Sequence, residues 1–496
     1  MSEIKESTAP QINPIVSKLA DFSDRISPMI VKELRQGLRT RTFTGIFLIL
    51  QVVLGLAMLG AIITESSDTG RMISMVVFFF FSIAALILQP LRGTSAVATE
   101  LKEDTLEIMS LTRLSTVRIV YGKWASIVSQ TALLLAATVP YLVMRYFFGG
   151  MQLFAELAIL FTIFFVSVCL TAVTVGLSCS RSVLLRALVP LLLIPFGLMT
   201  ISTVIIGREF GLMNEIFSFR DPDVLIGFLV FMILSAFTGY FFLDMGVGWI
   251  AALAENHAFR KRLVTLVVML IVLLVLFWNP PAQIAAVVVL LAFSCVIGLD
   301  VCTEVAVCVP SVVKPFVKRG TPGRLLGRFF YPGWHSGLLL LLVMAGLTIL
   351  IGNLTFSKSS FGGATGLNEE VWLVVLGVFY SILTPLLLVR IFIVRIKDIF
   401  PSYLLILILS GVLTALVAAF SEMSRSASEG LLLITSWIPG VWLLFIEQSM
   451  EEEGIVITSL LLLGVIFWLM KLATSEFKRT AELEEMAERS LREEES

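Results

Sequence analysis

The feature that most restricts this chain is a series of twelve apolar runs of 16 to 25 residues, read as helices that cross a lipid bilayer. They cover residues 44–64, 72–91, 125–148, 153–177, 183–206, 224–244, 263–278, 282–302, 333–351, 371–393, 403–420 and 455–470. A spanning helix needs about 20 predominantly apolar residues. Lipid offers no partner to an open backbone, so a helix is the economical way across. Composition agrees: 57% of the 496 residues are hydrophobic and 15% are charged, with a mean hydropathy of +0.96. Soluble domains carry about a quarter charged residues, and a water-soluble fold could not cover this much apolar volume. The expected fold class is an all-α polytopic membrane protein with about 12 transmembrane helices in two six-span halves, together with interfacial and re-entrant helices.

Basic residues set the expected direction, because loops on the cytoplasmic side are enriched in Lys and Arg. Lys32, Arg35, Arg39 and Arg41 precede the first run. Counting onward, the basic segments 92–123, 181–186, 260–262, 305–332 and 390–397 all fall on one side. The intervening loops are short, acidic or mixed. Residues 305–332 hold five basic residues and no acid. A thirteenth apolar run, 431–446, breaks this parity if it spans, since Glu451-Glu452-Glu453 would then lie inside and Lys471, Lys478 and Arg479 outside. It is short and holds Ile438-Pro439-Gly440 at its centre, a helix-breaking sequence. It reads as a re-entrant hairpin, which leaves twelve spans and both termini in the cytoplasm.

The expected organisation is a polar N-terminal tail over 1–26, a six-span unit over 27–262, a second six-span unit over 263–471, and a charged cytoplasmic helix over 472–496. Each half has two spans, a long basic segment, then four more spans. Symmetry of this kind is common in transporters, although it rests here on hydropathy without a residue-level repeat. Residues 1–26 contain no apolar core of a signal peptide, so the first run is expected to remain as a span. The five cysteines form no CxxC pair and lie in apolar runs or at their ends, and there are two histidines. No disulfide framework, metal site or His-based catalytic centre is expected. A net charge of -1 points to no nucleic-acid partner.

Two polar segments carry the most information. In residues 27–41, Ser27-Pro28 is a helix start, with Pro28 at a position that needs no N–H donor. Ile30, Leu34 and Leu38 form one apolar stripe among Lys32, Glu33, Arg35, Arg39 and Arg41. Such a helix lies in the membrane interface among lipid phosphates, or simply anchors the first span. Residues 98–115 are the most polar stretch between spans. Asp104 and Glu107 have capping-box spacing, and Ser115 is placed to cap the helix of the third span. Charges mixed with Leu106, Met109 and Leu111 suit docking of a soluble partner, as well as a solvated loop.

That stretch, with Gly122-Lys123 after it, resembles the segment between spans two and three of ABC-2 type transporter permeases. The resemblance rests on an acidic residue, Glu100, then Thr105-Leu106-Glu107, then Leu111 to Ser115, then Gly122-Lys123, in that order. Lys32-Glu33-Leu34-Arg35-Gln36 is similar to the interfacial helix before the first span of that family. The likeness covers residues 27–262; the segment 310–332 of the second half lacks both an acid and a Thr-Leu-Glu triplet. The resemblance implies a permease subunit of an exporter in the cell membrane, the bacterial inner membrane by this likeness. It implies a separate ATPase subunit seated on Glu100, Thr105, Leu106, Glu107 and Arg113. Lipids and a second permease or second copy of the chain complete the expected partners. It also implies a re-entrant feature before a unit's last span.

No GxxxxGK[ST] motif occurs, so ATP is expected to be bound by the partner and the chain itself is not expected to be an enzyme or to carry a cofactor. Ionisable residues near spans are Glu156, Asp244, Asp300 and Glu304, all close to run ends where water would reach them. An ion-coupled secondary transporter would need Glu156 or Asp244 to titrate. A membrane-embedded scaffold is the remaining alternative.

Overall fold

The structure, a computed structural model, describes residues 28–64, 69–103, 115–147, 153–209, 222–251, 255–277, 283–305, 308–358, 367–392, 399–423, 435, 438–442 and 451–495. Among the described residues every regular element is helical. The elements are α1 (Pro28–Leu38), α2 (Arg41–Thr64), α3 (Thr69–Ser82), a π-helical turn (Ile83–Leu88), α4 (Gln89–Gly93), α5 (Ala98–Lys102), α6 (Thr116–Tyr146), α7 (Leu153–Ser178) and α8 (Val183–Glu209). They continue as α9 (Pro222–Ile250), α10 (His257–Phe277), α11 (Gln283–Val301), α12 (Pro310–Val317), α13 (Gly320–Phe330), α14 (Trp334–Lys358), α15 (Leu367–Phe392), α16 (Ile399–Met423) and α17 (Glu451–Glu495).

Each of the twelve apolar runs falls in a helix, and ten of these helices are long and apolar enough to cross a membrane. The eighth run forms a shorter apolar helix, Ala285–Val301, and the seventh is carried by α10, whose first turns hold Arg260, Lys261 and Arg262. The chain is therefore a multi-pass helical membrane protein. Large side chains left on the surface, such as Ile63, Leu191, Leu229, Leu274, Leu409 and Phe467, are what lipid requires.

The chain divides into two compact units, residues 1–175 with 194–206, and residues 176–193 with 207–496. In the first, α1 lies along α6, and α2, α3 and α4 pack around the same helix. In the second, one apolar core runs from Val230 and Phe237 through Phe293, Leu341 and Leu386 to Leu469 and Ala473. Two glycines allow α7 and α9 to touch there. A Cβ on Gly176 would lie 2.1 Å from the carbonyl oxygen of Phe242, and one on Gly246 would lie 2.4 Å from that of Gly176.

The charged tail is not a separate solvated helix. Residues 451–495 form one continuous helix, and the part beyond the membrane packs on α12 and α13. Val313, Val317, Tyr331 and Ala487 form a small core with Cys308, Phe316 and Leu491. Arg324 pairs with Glu488 and Arg328 with Glu484, at 2.5 and 3.8 Å. The basic character of 305–332 and the acidity of the tail thus answer one another. Most of the expected hairpin 431–446 lies outside the described residues. Within it, Ile438 and Val441 are buried against Val417, and the Trp442 Nε1–H donates to Thr458 Oγ1 at 3.2 Å.

Candidate functional site

In the first unit the two polar segments singled out by sequence meet at Lys123. Its ammonium lies 2.7 Å from Glu100 Oε1 and 3.7 Å from Glu33 Oε2, and Lys123 is 8% exposed. One cation therefore joins α1, α5 and α6. The Gly-Lys pair stands inside α6, which begins at Thr116 after an extended Ser115. A lysine held by two carboxylates mid-helix is no phosphate cradle. Glu100, expected to face a partner, spends its carboxylate on an internal ion pair; that assigns it to positioning the segment that follows. Lys32 and Arg35 on α1, Arg39 in the turn after it, and Arg41 at the start of α2 are exposed, while Glu33 is partly buried and pairs with Lys123. Thr105, Leu106, Glu107 and Arg113 lie outside the described residues.

A second polar knot sits about two turns further along α6, at Gln130. The Arg92 guanidinium donates to Gln89 Oε1 at 2.9 Å, to Gln130 Oε1 and to Thr40 Oγ1 at 3.2 Å, and lies 5.8 Å from the centre of the Phe43 ring. Gly37 makes this approach possible, since a Cβ there would lie 2.2 Å from Gln130 Nε2. The interfacial helix is therefore keyed to α6 by Glu33–Lys123, by Gly37 against Gln130, and by Arg92 bridging to Thr40.

The far end of α6 carries a third buried group. Arg145 is 3% exposed; its Nε–H donates to the Gly70 carbonyl at 2.8 Å and its Nη2 lies 3.5 Å from Glu156 Oε1. The Ser74 hydroxyl donates to the same carboxylate, 3.1 Å from Oε2. Glu156 was expected within reach of water; instead it is buried and paired, because α3, α6 and α7 converge on it. The 22 residues from Lys123 to Arg145 extend about 33 Å along a helix, the thickness of a bilayer core. So α6 is fastened by a buried cation at each end.

The second unit buries more charge. Lys261 Nζ is 2.6 Å from Asp300 Oδ2. Arg262 donates to Glu304 Oε2, Ser336 Oγ and the carbonyls of Phe329 and Tyr331, at 2.6 to 2.9 Å. Burial pushes the Glu304 carboxyl up, but Arg262 and Lys261 outweigh it and hold the group below the usual carboxylate range. Asp244 is fully buried and pairs with Arg260, with His257 3.7 Å away. Sequence reading located these acids singly and missed their partners. Arg260 pairs 16 residues back, while Lys261 and Arg262 reach partners 39 to 74 residues on, and beyond the basic cluster itself no local pattern announces them.

Among the described residues no group of His, Cys, Asp and Glu is placed to hold a metal ion. The fold and these buried ion pairs define a multi-pass α-helical membrane protein with a charge-fastened polar base beneath its first spans. No family model, curated protein or solved structure matches the chain.

Proposed function

We propose that this chain is the transmembrane permease subunit of an ATP-driven ABC-2 type exporter, working with a separate ATPase. One observation carries the reading. Lys123 of the Gly-Lys pair binds Glu33 of the interfacial helix and Glu100 of the segment leading into Thr105-Leu106-Glu107. Three motifs that the resemblance requires to act together are joined by one buried cation. Force applied by a partner to residues 104–114 would pass through Glu100 to Lys123, and so to α1 and the full length of α6. In this reading the chain has twelve spans, both termini lie in the cytoplasm, and ATP stays on the partner.

The test is reconstitution with an ATPase encoded beside this gene. Glu107→Arg is expected to abolish partner binding with insertion intact. Lys123→Met is expected to keep binding but lose stimulation of ATP hydrolysis by the permease. Normal co-purification of the Glu107→Arg chain would overturn the docking role. A second reading, an ion-coupled carrier, draws on the buried Glu156 carboxylate. Unchanged transport after Glu156→Gln together with Asp244→Asn removes it.

A further inference from the structure

The inward-facing charges of the second unit do not balance at one corner, where a half-buried arginine is left over. Lys261 is answered by Asp300 and Arg262 by Glu304. Arg390, near the end of α15, is left over. Its guanidinium carbon lies 4.6 Å from the centre of the Trp334 ring at the start of α14. Its Nε and Nη2 are closed off with no acceptor, and no ion pair to it occurs among the described residues. Glu476 on α17 acts on it electrostatically without reaching ion-pair distance. His335, next to Trp334, is 2% exposed; its Nδ1 also lacks a partner, and its ring meets Phe477 of α17 edge-on at 5.0 Å.

The position says what could answer this charge. Trp334 opens one candidate span and Arg390 nearly closes another, so both stand where apolar helix gives way to the polar membrane surface. Trp468 and Lys471, stacked at 5.1 Å on α17, mark the same transition. An arginine placed over an indole face is restrained there, and its planar fork matches a phosphate with two parallel N–H donors. Nη1 is the nitrogen not closed off, and an oxyanion arriving there is one nitrogen away from Nη2. A half-buried cation without a counter-ion is costly, because its shielded N–H groups have lost water without gaining an acceptor.

We infer that Arg390, stacked on Trp334 beside His335, binds a phosphate oxyanion at the membrane surface of the second unit. The group is supplied by an anionic phospholipid headgroup or by free phosphate. The site does not depend on the exporter reading.

The test uses the full-length chain in nanodiscs of phosphatidylcholine with and without phosphatidylglycerol, and native mass spectrometry to count retained lipid. Inorganic phosphate is titrated separately against the chain in pure phosphatidylcholine, followed by thermal midpoint. Retention of phosphatidylglycerol that falls about tenfold in Arg390→Gln, with no effect of inorganic phosphate, supports the lipid. A midpoint raised by inorganic phosphate in the natural chain but not in Arg390→Gln, without lipid preference, supports a soluble anion. Equal retention and equal phosphate response in both chains overturns the site. If Arg390→Gln is not monodisperse, Arg390→Lys decides. It keeps the charge but loses the fork, so a fall of about tenfold is expected, and unchanged retention overturns the proposal.

Discussion

Consider the loss of the Lys123 ammonium by Lys123→Met, which keeps the stem and its packing. At 2.7 Å from Glu100, the gross attraction is roughly 6 kcal/mol at an effective dielectric of 20, and desolvation of the lysine offsets much of it. What the substitution exposes is the cost of two carboxylates with no cation between them. Breaking a fully buried pair costs about 3–5 kcal/mol. Here the Glu100 and Glu33 side chains are 18% and 15% exposed, so water recovers part, and about 2–4 kcal/mol is expected. For a cooperative unit of under 200 residues each kcal/mol moves a melting midpoint by about 2–4 °C. The assay is a double-mutant cycle on Lys123→Met and Glu100→Gln in nanodiscs, read by thermal or denaturant midpoint. A direct ion pair gives a coupling of at least about 1 kcal/mol, and Glu100→Gln should relieve part of the damage done by Lys123→Met. Additive effects, within about 0.5 kcal/mol, would refute the link between α5 and α6.

Three further outcomes follow from the second unit. Gly176→Val should destabilise by about 1–3 kcal/mol or more, because the new side chain meets the Phe242 backbone; an unchanged midpoint would show that α7 and α9 do not cross there. Arg262→Met should cost about 3–5 kcal/mol by stranding Glu304. Because the folded Glu304 carboxyl titrates below its ordinary 4.5, its contribution is complete above that pH and fades as pH falls through the lower folded value. The stability gap between the natural chain and Glu304→Gln should therefore shrink in acid below about pH 4.5 and stay constant above it. Finally, Arg324→Glu with Arg328→Glu should free the tail for limited proteolysis near Glu484. Reversal of Glu484 and Glu488 to Arg should restore protection, and protection unaltered by the first pair would show that the charges do not hold the tail.

Much of the fold was legible because its cause is local. Twenty apolar residues in a row have few alternatives in lipid, and each of the twelve runs is helical. What sequence could not show is which charge meets which. Glu156 and Arg145 stand 11 residues apart, and Glu100 and Lys123 stand 23 apart; only packing decides that these pair rather than face water. The docking of the tail was not legible because its Glu-rich face gives no sign of the basic residues Arg324 and Arg328, over 150 residues earlier. Glu100, read from sequence as a coupling residue, also has an internal counter-ion in Lys123, which spacing alone could not reveal.

The mechanical consequence lies in the contrast between α6 and its neighbour. Over 31 residues α6 is continuous, with a buried cation fastened near each end, so displacement at one end carries to the other. Beside it, the second apolar run is interrupted by a π-helical turn over Ile83–Leu88, followed by Pro90. Wide turns of this kind free carbonyls from the regular ladder, and the Ser167 hydroxyl of α7 takes up that of Ala85. Gly197 of α8 packs against Ile87 at the same level, where a Cβ would lie 2.7 Å away. The first unit thus sets a stiff rod beside a helix whose hydrogen-bond pattern is already broken in mid-membrane and held by a side chain from a third. If the proposed partner pushes at Glu100, α6 would offer little compliance, and the element able to yield would be the π turn, which lies among buried residues of α7 and α8.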